Sequence, residues 1–338
     1  MKRKPPSADE DDDLLLETAP DYVLGFDVGG TRIKVGAVGP KGRLLEERII
    51  PTGASAGPKR LLETLLWVAR AVEKTVGGPP LSVGIGLPGA IQPDLGIVLL
   101  PGRLQGLENF PIVPRLKKAL GVPVIADNDA RLAMIAEKEF GQARGKKWAL
   151  TITLGTGVGS GVMLDGRILR DTHLQFGTQA SHMVIQAAGG RLCLTGARGT
   201  AEMLCSATAL AQQVRDGLAR GIPSVLTGLY ATDPAAVDFA AVIQGAARKD
   251  RLCRDELGVW TGNLGWFLVS AIHAYAPEIV ILSGGATHAW KYFMKPLRAH
   301  VDRHVYRWPV GDSVPIVISK MKDHAGVLGA AAQAWLFA

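Results

Sequence analysis

Residues 26–38 read FDVGGTRIKVGAV: a β-prone apolar run ends at Asp27, turns through Gly29 and Gly30, and resumes as a second apolar run. That pattern reads as two strands joined by a tight turn. Residues 148–164, WALTITLGTGVGSGVML, have the same form of strand, Gly/Thr turn and strand. Outward from the first hairpin, LLEERII adds a third strand, and residues 58–76 place Leu61, Leu65, Leu66, Ala69 and Val72 on one helical face. A strand over 82–87, a glycine- and proline-rich stretch over 88–111, the short helix PRLKKAL, a strand over 123–127 and a helix over 128–140 follow. Outward from the second hairpin, helices are expected near 200–220, 234–249 and 255–275, then a strand ending in a glycine turn at 278–286, another helix, the short strand VPIVIS, and a last helix over 324–335. Two similar βββ-αβα halves suggest an internal duplication, and the alternation makes the chain α/β, with sheets covered by helices.

Composition narrows the function classes. At 338 residues the chain suits about two domains. With 47% hydrophobic and 20% charged residues it is not generally disordered. Residues 1–20, with a basic block, two prolines and the acidic run Asp9 to Asp13, read as a disordered leader. No uninterrupted apolar run approaches the roughly 18 residues of a membrane span, and the first residues lack the apolar core of a secretory signal. Cys193, Cys205 and Cys253 form no disulfide framework, so a cytoplasmic protein is expected. The net charge of +7 is spread along the chain, with no basic run interleaved with aromatics. It implies a weak bias toward anionic ligands, and neither nucleic acid nor membrane as a partner.

Four motifs carry chemistry. Asp27-Val-Gly29-Gly30-Thr31 places turn amides and a hydroxyl where a phosphate can dock, with Asp27 able to orient a hydrated Mg²⁺; turn geometry alone explains it equally well. Leu154-Gly155-Thr156-Gly157-Val-Gly-Ser-Gly161 holds four glycines in eight residues, more than a turn needs, and reads as a second phosphate cradle. Ser283-Gly284-Gly285 follows a strand, where α/β sheets bind ligands, although a plain connection fits too. Asp127-Asn128-Asp129 opens a helix; one residue serves as N-cap, and a second carboxylate can accept a proton from a substrate hydroxyl. Gly84-Ile-Gly-Leu-Pro-Gly89 matches the dinucleotide fingerprint as a string, but no helix follows it, so it is a chance match. A G-x-x-x-x-G-K-[ST] loop is absent. Trp67, Trp260, Trp266 and Trp335 fall at helical spacing and read as core, and Cys205 and Cys253 as small buried residues.

Taken in order, Asp27-Val-Gly-Gly-Thr31, Gly86-Leu-Pro-Gly89, Asn128-Asp129, Gly155-Thr-Gly157, Gly284-Gly285 and the closing Ala325-Gly-Val-Leu-Gly-Ala-Ala331 resemble the ROK family of sugar kinases from about Tyr22 onward. The resemblance implies a two-lobed actin-like, ribonuclease-H-like fold with a cleft between mixed sheets. The small lobe would span 21–127, with the terminal helix 324–338 packing back on it, and the large lobe 128–323. It implies ATP and Mg²⁺ as cofactors, a small sugar as substrate, and a homodimer. Asp129 would be the catalytic base; Asn128, Gly89, Gln179, His182 and Glu202 would meet the sugar. Gly29, Gly30, Thr31, Gly155, Thr156 and Gly157 would hold phosphates, Gly284 and Gly285 would lie near the adenosine, and Asp27 would sit near Mg²⁺.

The chain departs from the family pattern in three places. The sugar-pocket Gly-Glu-x-Gly-His reads Thr178-Gln179-Ala180-Ser181-His182, exchanging a charge for an amide. The zinc pattern Cys-x-Cys-Gly-x-x-Gly-Cys-x-Glu reads Cys193-Leu-Thr195-Gly196-Ala-Arg-Gly199-Thr200-Ala-Glu202, so no structural zinc is expected. Pro101-Gly-Arg103-Leu104 stands where the family often has Pro-Asn-Leu. The expectation is an ATP-dependent carbohydrate kinase with an altered sugar pocket. The rival readings are a non-catalytic sugar-binding regulator without a DNA-binding module and, more remotely, another actin-like kinase acting on acetate or a polyol.

Overall fold

The computed structural model describes residues 20–92, 95–100, 104, 106–170, 179–306 and 311–338. Residues 1–19 of the leader, Pro101 to Arg103 and Thr178 lie outside the described residues.

The chain runs β1 (Val23–Val28), β2 (Arg32–Val38), β3 (Leu44–Pro51), α1 (Gly57–Val76), β4 (Val83–Leu87), β5 (Ala90–Gln92), β6 (Ile97–Leu100), α2 (Ile112–Leu120), β7 (Val124–Asn128) and α3 (Asp129–Phe140). It continues β8 (Ala149–Leu154), β9 (Val158–Leu164), β10 (Arg167–Ile168), α4 (Ala201–Cys205), α5 (Ala207–Ala219), α6 (Thr227–Thr232), α7 (Phe239–Ala247) and α8 (Arg251–Tyr275). β11 (Ile279–Ser283), α9 (Trp290–His304), β12 (Ile316–Ile318) and α10 (Ala325–Ala334) complete it.

Two five-stranded mixed sheets result, in the orders β3-β2-β1-β4-β7 and β10-β9-β8-β11-β12. Each begins with the glycine hairpin read from sequence and adds strands in parallel beside its first strand. In the first sheet β1, β4 and β7 are parallel, and their registers set Asp27, Gly86 and Asp127 side by side. In the second, Ser283 stands beside Thr153, which brings the glycine turns after β11 and β8 together.

Helices α10 and α3 lie between the sheets, and glycines set their spacing. A Cβ on Gly84 of β4 would fall 1.9 Å from the Ala330 carbonyl oxygen of α10; one on Gly329 of α10 would fall 1.9 Å from the Leu132 carbonyl oxygen of α3. On the other side, Gly161 of β9 leaves no room for a Cβ against Met134 of α3, at 2.5 Å, and Gly159 none against Ala130, at 2.6 Å. This corrects the reading of residues 154–161 as a cradle throughout. Gly155 and Gly157 belong to the turn, whereas Gly159 and Gly161 are small because a helix backbone crosses β9 at close range.

The outer helices form the second sheet's core around Trp260, which packs edge-on to Phe293 and Phe239 at centroid distances of 5.3 and 5.9 Å. Its indole N–H donates to the Ser206 carbonyl at 3.1 Å. Ser206 also breaks the expected helix over 200–220 in two, because its hydroxyl caps α5 by accepting from the Ala209 N–H at 3.1 Å. Cys205 and Cys253 are buried here as expected. Trp67 and Trp266 are not core: they are 62% and 45% exposed. On α1 the buried stripe is Leu61, Leu65, Val68, Ala69 and Val72, which leaves Trp67 on the outer face. The glycine- and proline-rich stretch conceals a further hairpin, β5 with β6.

Candidate active site

The β7–α3 junction presents two carboxylates and an amide. Asn128 keeps extended backbone while its side-chain oxygen accepts from Ala130 N–H (3.0 Å) and Arg131 N–H (3.2 Å), capping α3. Its amide nitrogen donates to the Gly89 carbonyl at 2.9 Å, tying the loop after β4 to the junction. Asp129, the first residue of α3, is half-buried. Lost solvation, then the negative charge of Asp27, pushes its carboxyl up to about 7, against a hydrogen bond from Ala130 N–H at 2.8 Å. Asp27, at the end of β1, is likewise raised by burial; Lys34 on β2 opposes the shift and Asp323 adds to it. Its carboxyl lies against α10, where a Cβ on Gly326 would come within 2.5 Å of it. The fold thus brings Asp27 and Asp129, 102 positions apart in the sequence, into one another's field.

The β1–β2 turn is braced from the residue that follows β3. Thr52, 1% exposed, donates its hydroxyl to the Gly29 carbonyl at 2.7 Å and its N–H to the Thr31 carbonyl at 3.0 Å. The β8–β9 turn is braced from the helical side. The Gly155 carbonyl accepts from Ala207 N–H (2.9 Å), the Thr156 carbonyl from the Thr208 hydroxyl (2.7 Å), and Glu202 accepts from Val158 N–H (3.2 Å). Gly284, at φ +89°, adopts a conformation costly for other residues, and a Cβ there would meet the Leu154 carbonyl oxygen at 2.5 Å. Among the described residues, nothing beyond their chain neighbours lies within 4 Å of a Cβ position at Gly155 or Gly285, so bare main chain fronts both turns.

Gln179 opens a short 3₁₀ turn over Ala180–His182, in which Ala180 N–H donates to the Ser160 hydroxyl of β9 at 3.2 Å. The Nδ1 of His182 is buried and, among the described residues, has no hydrogen-bond partner. The loop after it is closed by main chain: Ile185 N–H to the Gly199 carbonyl (2.9 Å), Gly199 N–H to the Arg191 carbonyl (2.9 Å), and Cys193 N–H to the Ala197 carbonyl (2.8 Å). The Cys193 sulfur lies 2.9 Å from the Thr195 hydroxyl, which chiefly holds the thiol below its usual range. The donor set does not fit zinc, since neutral threonine hydroxyls stand at two positions where thiolates are needed. We expect less than stoichiometric zinc by elemental analysis of the purified protein, and a thermal midpoint that a chelator leaves unchanged. Among the described residues no group of three or more His, Cys, Asp or Glu side chains gathers as a metal cage. For Mg²⁺ this is no obstacle, because it binds through one or two carboxylates plus phosphate oxygens. Asp27, whose charge is poorly compensated, fits that role.

The structure therefore assembles Asp27, Asp129, Asn128 and Gly89 at one junction, and Gly155, Thr156, Gly157 and Gly284 at another. Glu202 hydrogen-bonds the second turn directly. Sequence reading missed Thr52, which reaches the first turn from just beyond β3, and Arg131, whose pairing with Asp127 joins α3 to the end of β7 and so follows no helical spacing.

The chain is similar to known proteins along nearly its whole length. A family model described as "ROK family" matches residues 23–335. A glucokinase of Thermotoga maritima is 33% identical over 318 residues, covering 91% of this chain and 96% of its own. The crystal structure of a ROK hexokinase from Thermus thermophilus superposes with a TM-score of 0.75 at 29% identity, covering 93% of this chain and 98% of its own. The fold of a ROK family glucokinase from Streptomyces griseus, solved with glucose and AMPPNP, superposes with a TM-score of 0.80 at 24% identity, covering 93% of this chain and 99% of its own. With the hairpins, the paired sheets and the Asn-Asp junction in the family's order, the chain belongs to the ROK family and has its two-lobed actin-like fold.

Proposed function

We propose that this protein transfers the γ-phosphoryl group of ATP to a hydroxyl of a sugar. The observation that carries the reading is Asp129: a half-buried carboxylate at a helix start, poised near neutrality, in the field of Asp27 and beside the Asn128–Gly89 tether. Phosphoryl transfer needs chiefly positioning and charge neutralisation, with one base to take the hydroxyl proton. When bound, ATP supplies the phosphoryl group and Mg²⁺ offsets its charge. Asp129 then takes the sugar proton on its carboxylate. Turn amides near Gly30, Thr31, Gly155 and Thr156 hold phosphate oxygens, and Asp27 holds the hydrated cation. The open Gly285 backbone and Gly284 border the nucleotide, and the buried His182 nitrogen and Gln179 read sugar hydroxyls.

Purified protein incubated with ATP, Mg²⁺ and a panel of hexoses, amino sugars and polyols should release ADP with at least one of them; no release above background with any would count against the reading. Glu202→Ala loosens the β8–β9 turn, so the KM for ATP is expected to rise several-fold with the sugar KM little changed. A rise in the sugar KM instead would place Glu202 on the sugar. A cytoplasmic homodimer is the assembly the family resemblance supports, and light scattering tests the dimer.

A further inference from the structure

Asp127 is wholly buried one residue before the cap and two before the base, yet the mechanism above does not use it. Its carboxylate gathers donors from four places: the Asn128 N–H (2.8 Å), the Arg131 guanidinium on α3 (2.7 Å), the Gln333 side-chain amide on α10 (3.2 Å), and the Arg170 guanidinium. The first three belong to elements that pack on the first sheet or follow directly from it. Arg170 does not. It follows β10, the edge strand of the second sheet, whereas Asp127 lies at the end of β7, the edge strand of the first.

Arg131, 2% exposed, pairs with Asp127 at 2.7 Å from α3, which follows β7 directly. The second guanidinium comes instead from the edge of the other sheet. The place it crosses from matters. Leu169 N–H donates to the Val162 carbonyl at 2.8 Å, and Ala180 N–H donates to the Ser160 hydroxyl at 3.2 Å. Arg170 and the Gln179–His182 turn are thus both fastened to β9, at anchor points two residues apart. On the opposite side of the pair, Asp127 is continuous with Asn128 and Asp129.

We infer that the Arg170–Asp127 pair is a positioning clamp: it holds the sugar-reading turn at Gln179–His182 in register with the base at Asp129, so sugar affinity and turnover depend on it and nucleotide affinity does not. This rests on the kinase reading above. A carboxylate that accepts from two guanidinium groups gains directional, charge-assisted hydrogen bonds that resist sliding of the two edges.

The test uses Arg170→Met, which keeps the stem, and Arg170→Lys, which keeps the charge; Asp127 is left intact because it is wholly buried and accepts from three donors besides Arg170. For Arg170→Met the sugar KM is expected to rise roughly tenfold or more, the scale of one charge-assisted hydrogen bond. The kcat should fall with it, the ATP KM should stay within about twofold and Arg170→Lys should recover part of the loss. Hydrogen exchange should quicken in 127–135 and 179–186 together, while 27–34 is unchanged. Sugar and ATP KM values rising in parallel, or no kinetic change in Arg170→Met, would overturn the clamp. If the wild type phosphorylates no sugar, the kinase reading fails by itself, and the exchange arm still decides: quickening confined to one of the two segments, or absent from both, overturns the clamp.

Discussion

Asp129→Asn is expected to lower kcat by about 10²–10⁴-fold, the contribution of a positioned general base, while making the folded protein more stable above neutral pH. The two effects share one cause. In the unfolded chain the carboxyl titrates near 3.8, and in the fold it is pushed up to about 7 by burial and then by Asp27. The folded state therefore binds the proton more tightly, and stability falls as pH rises between those values. The penalty is absent at pH below about 4 and complete above about 7, on the order of a few kcal/mol at about 1.4 kcal/mol per tenfold. An uncharged asparagine avoids it. Thermal midpoints of the two proteins should converge toward pH 4 and separate in favour of the variant toward pH 8. The kcat/KM of the wild type should run the other way, rising with pH to a plateau above about 7, because only the ionised carboxylate accepts the sugar proton. A variant that is inactive but no more stable at pH 8 would show that Asp129 is not held in this environment.

Gly329→Ala should be among the most damaging single-methyl changes in the chain. The added carbon would lie 1.9 Å from the Leu132 carbonyl oxygen, a backbone atom with no rotamer to yield. Helix propensity alone favours alanine by about 1 kcal/mol. Overpacking against backbone opposes it by typically 1–3 kcal/mol and occasionally more, and here the clash prevails, because α10 is held on its other face by Gly84 of β4. Separating α10 from α3 also displaces the helix that begins with Asp129, so activity should fall further than stability. Gly258→Ala is the matched control: it lies on α8 with nothing within 4 Å of its Cβ position and should gain up to about 1 kcal/mol. The same substitution in two helices should shift the thermal midpoint in opposite directions.

Most elements were legible because their signals are local. The hairpins at 23–38 and 149–164 show as apolar runs broken by glycine, and α1 shows as a 3.6-residue stripe. The β5–β6 hairpin was not, because its strands are short and lie among glycines and prolines, where no period can develop. Trp67 was misread because a helix with one buried stripe tolerates a large apolar residue on its outer face, and composition does not say which side meets the sheet. Gly159 and Gly161 were read as ligand-facing because a sequence shows that a side chain is missing without showing what occupies its place.

The candidate site divides the same way. Residue order by itself determined the two glycine bends, the Asn-Asp helix start and the loss of two thiolates from the loop at 193–200, since each is a pattern of neighbouring residues. Tertiary structure alone decided that Asp129 titrates near neutrality, that Thr52 and Glu202 brace the bends, and that Arg170 reaches Asp127. Burial and Coulomb interactions depend on distance through space, and residues that come close only when two sheets close over a pair of helices leave no period in the chain.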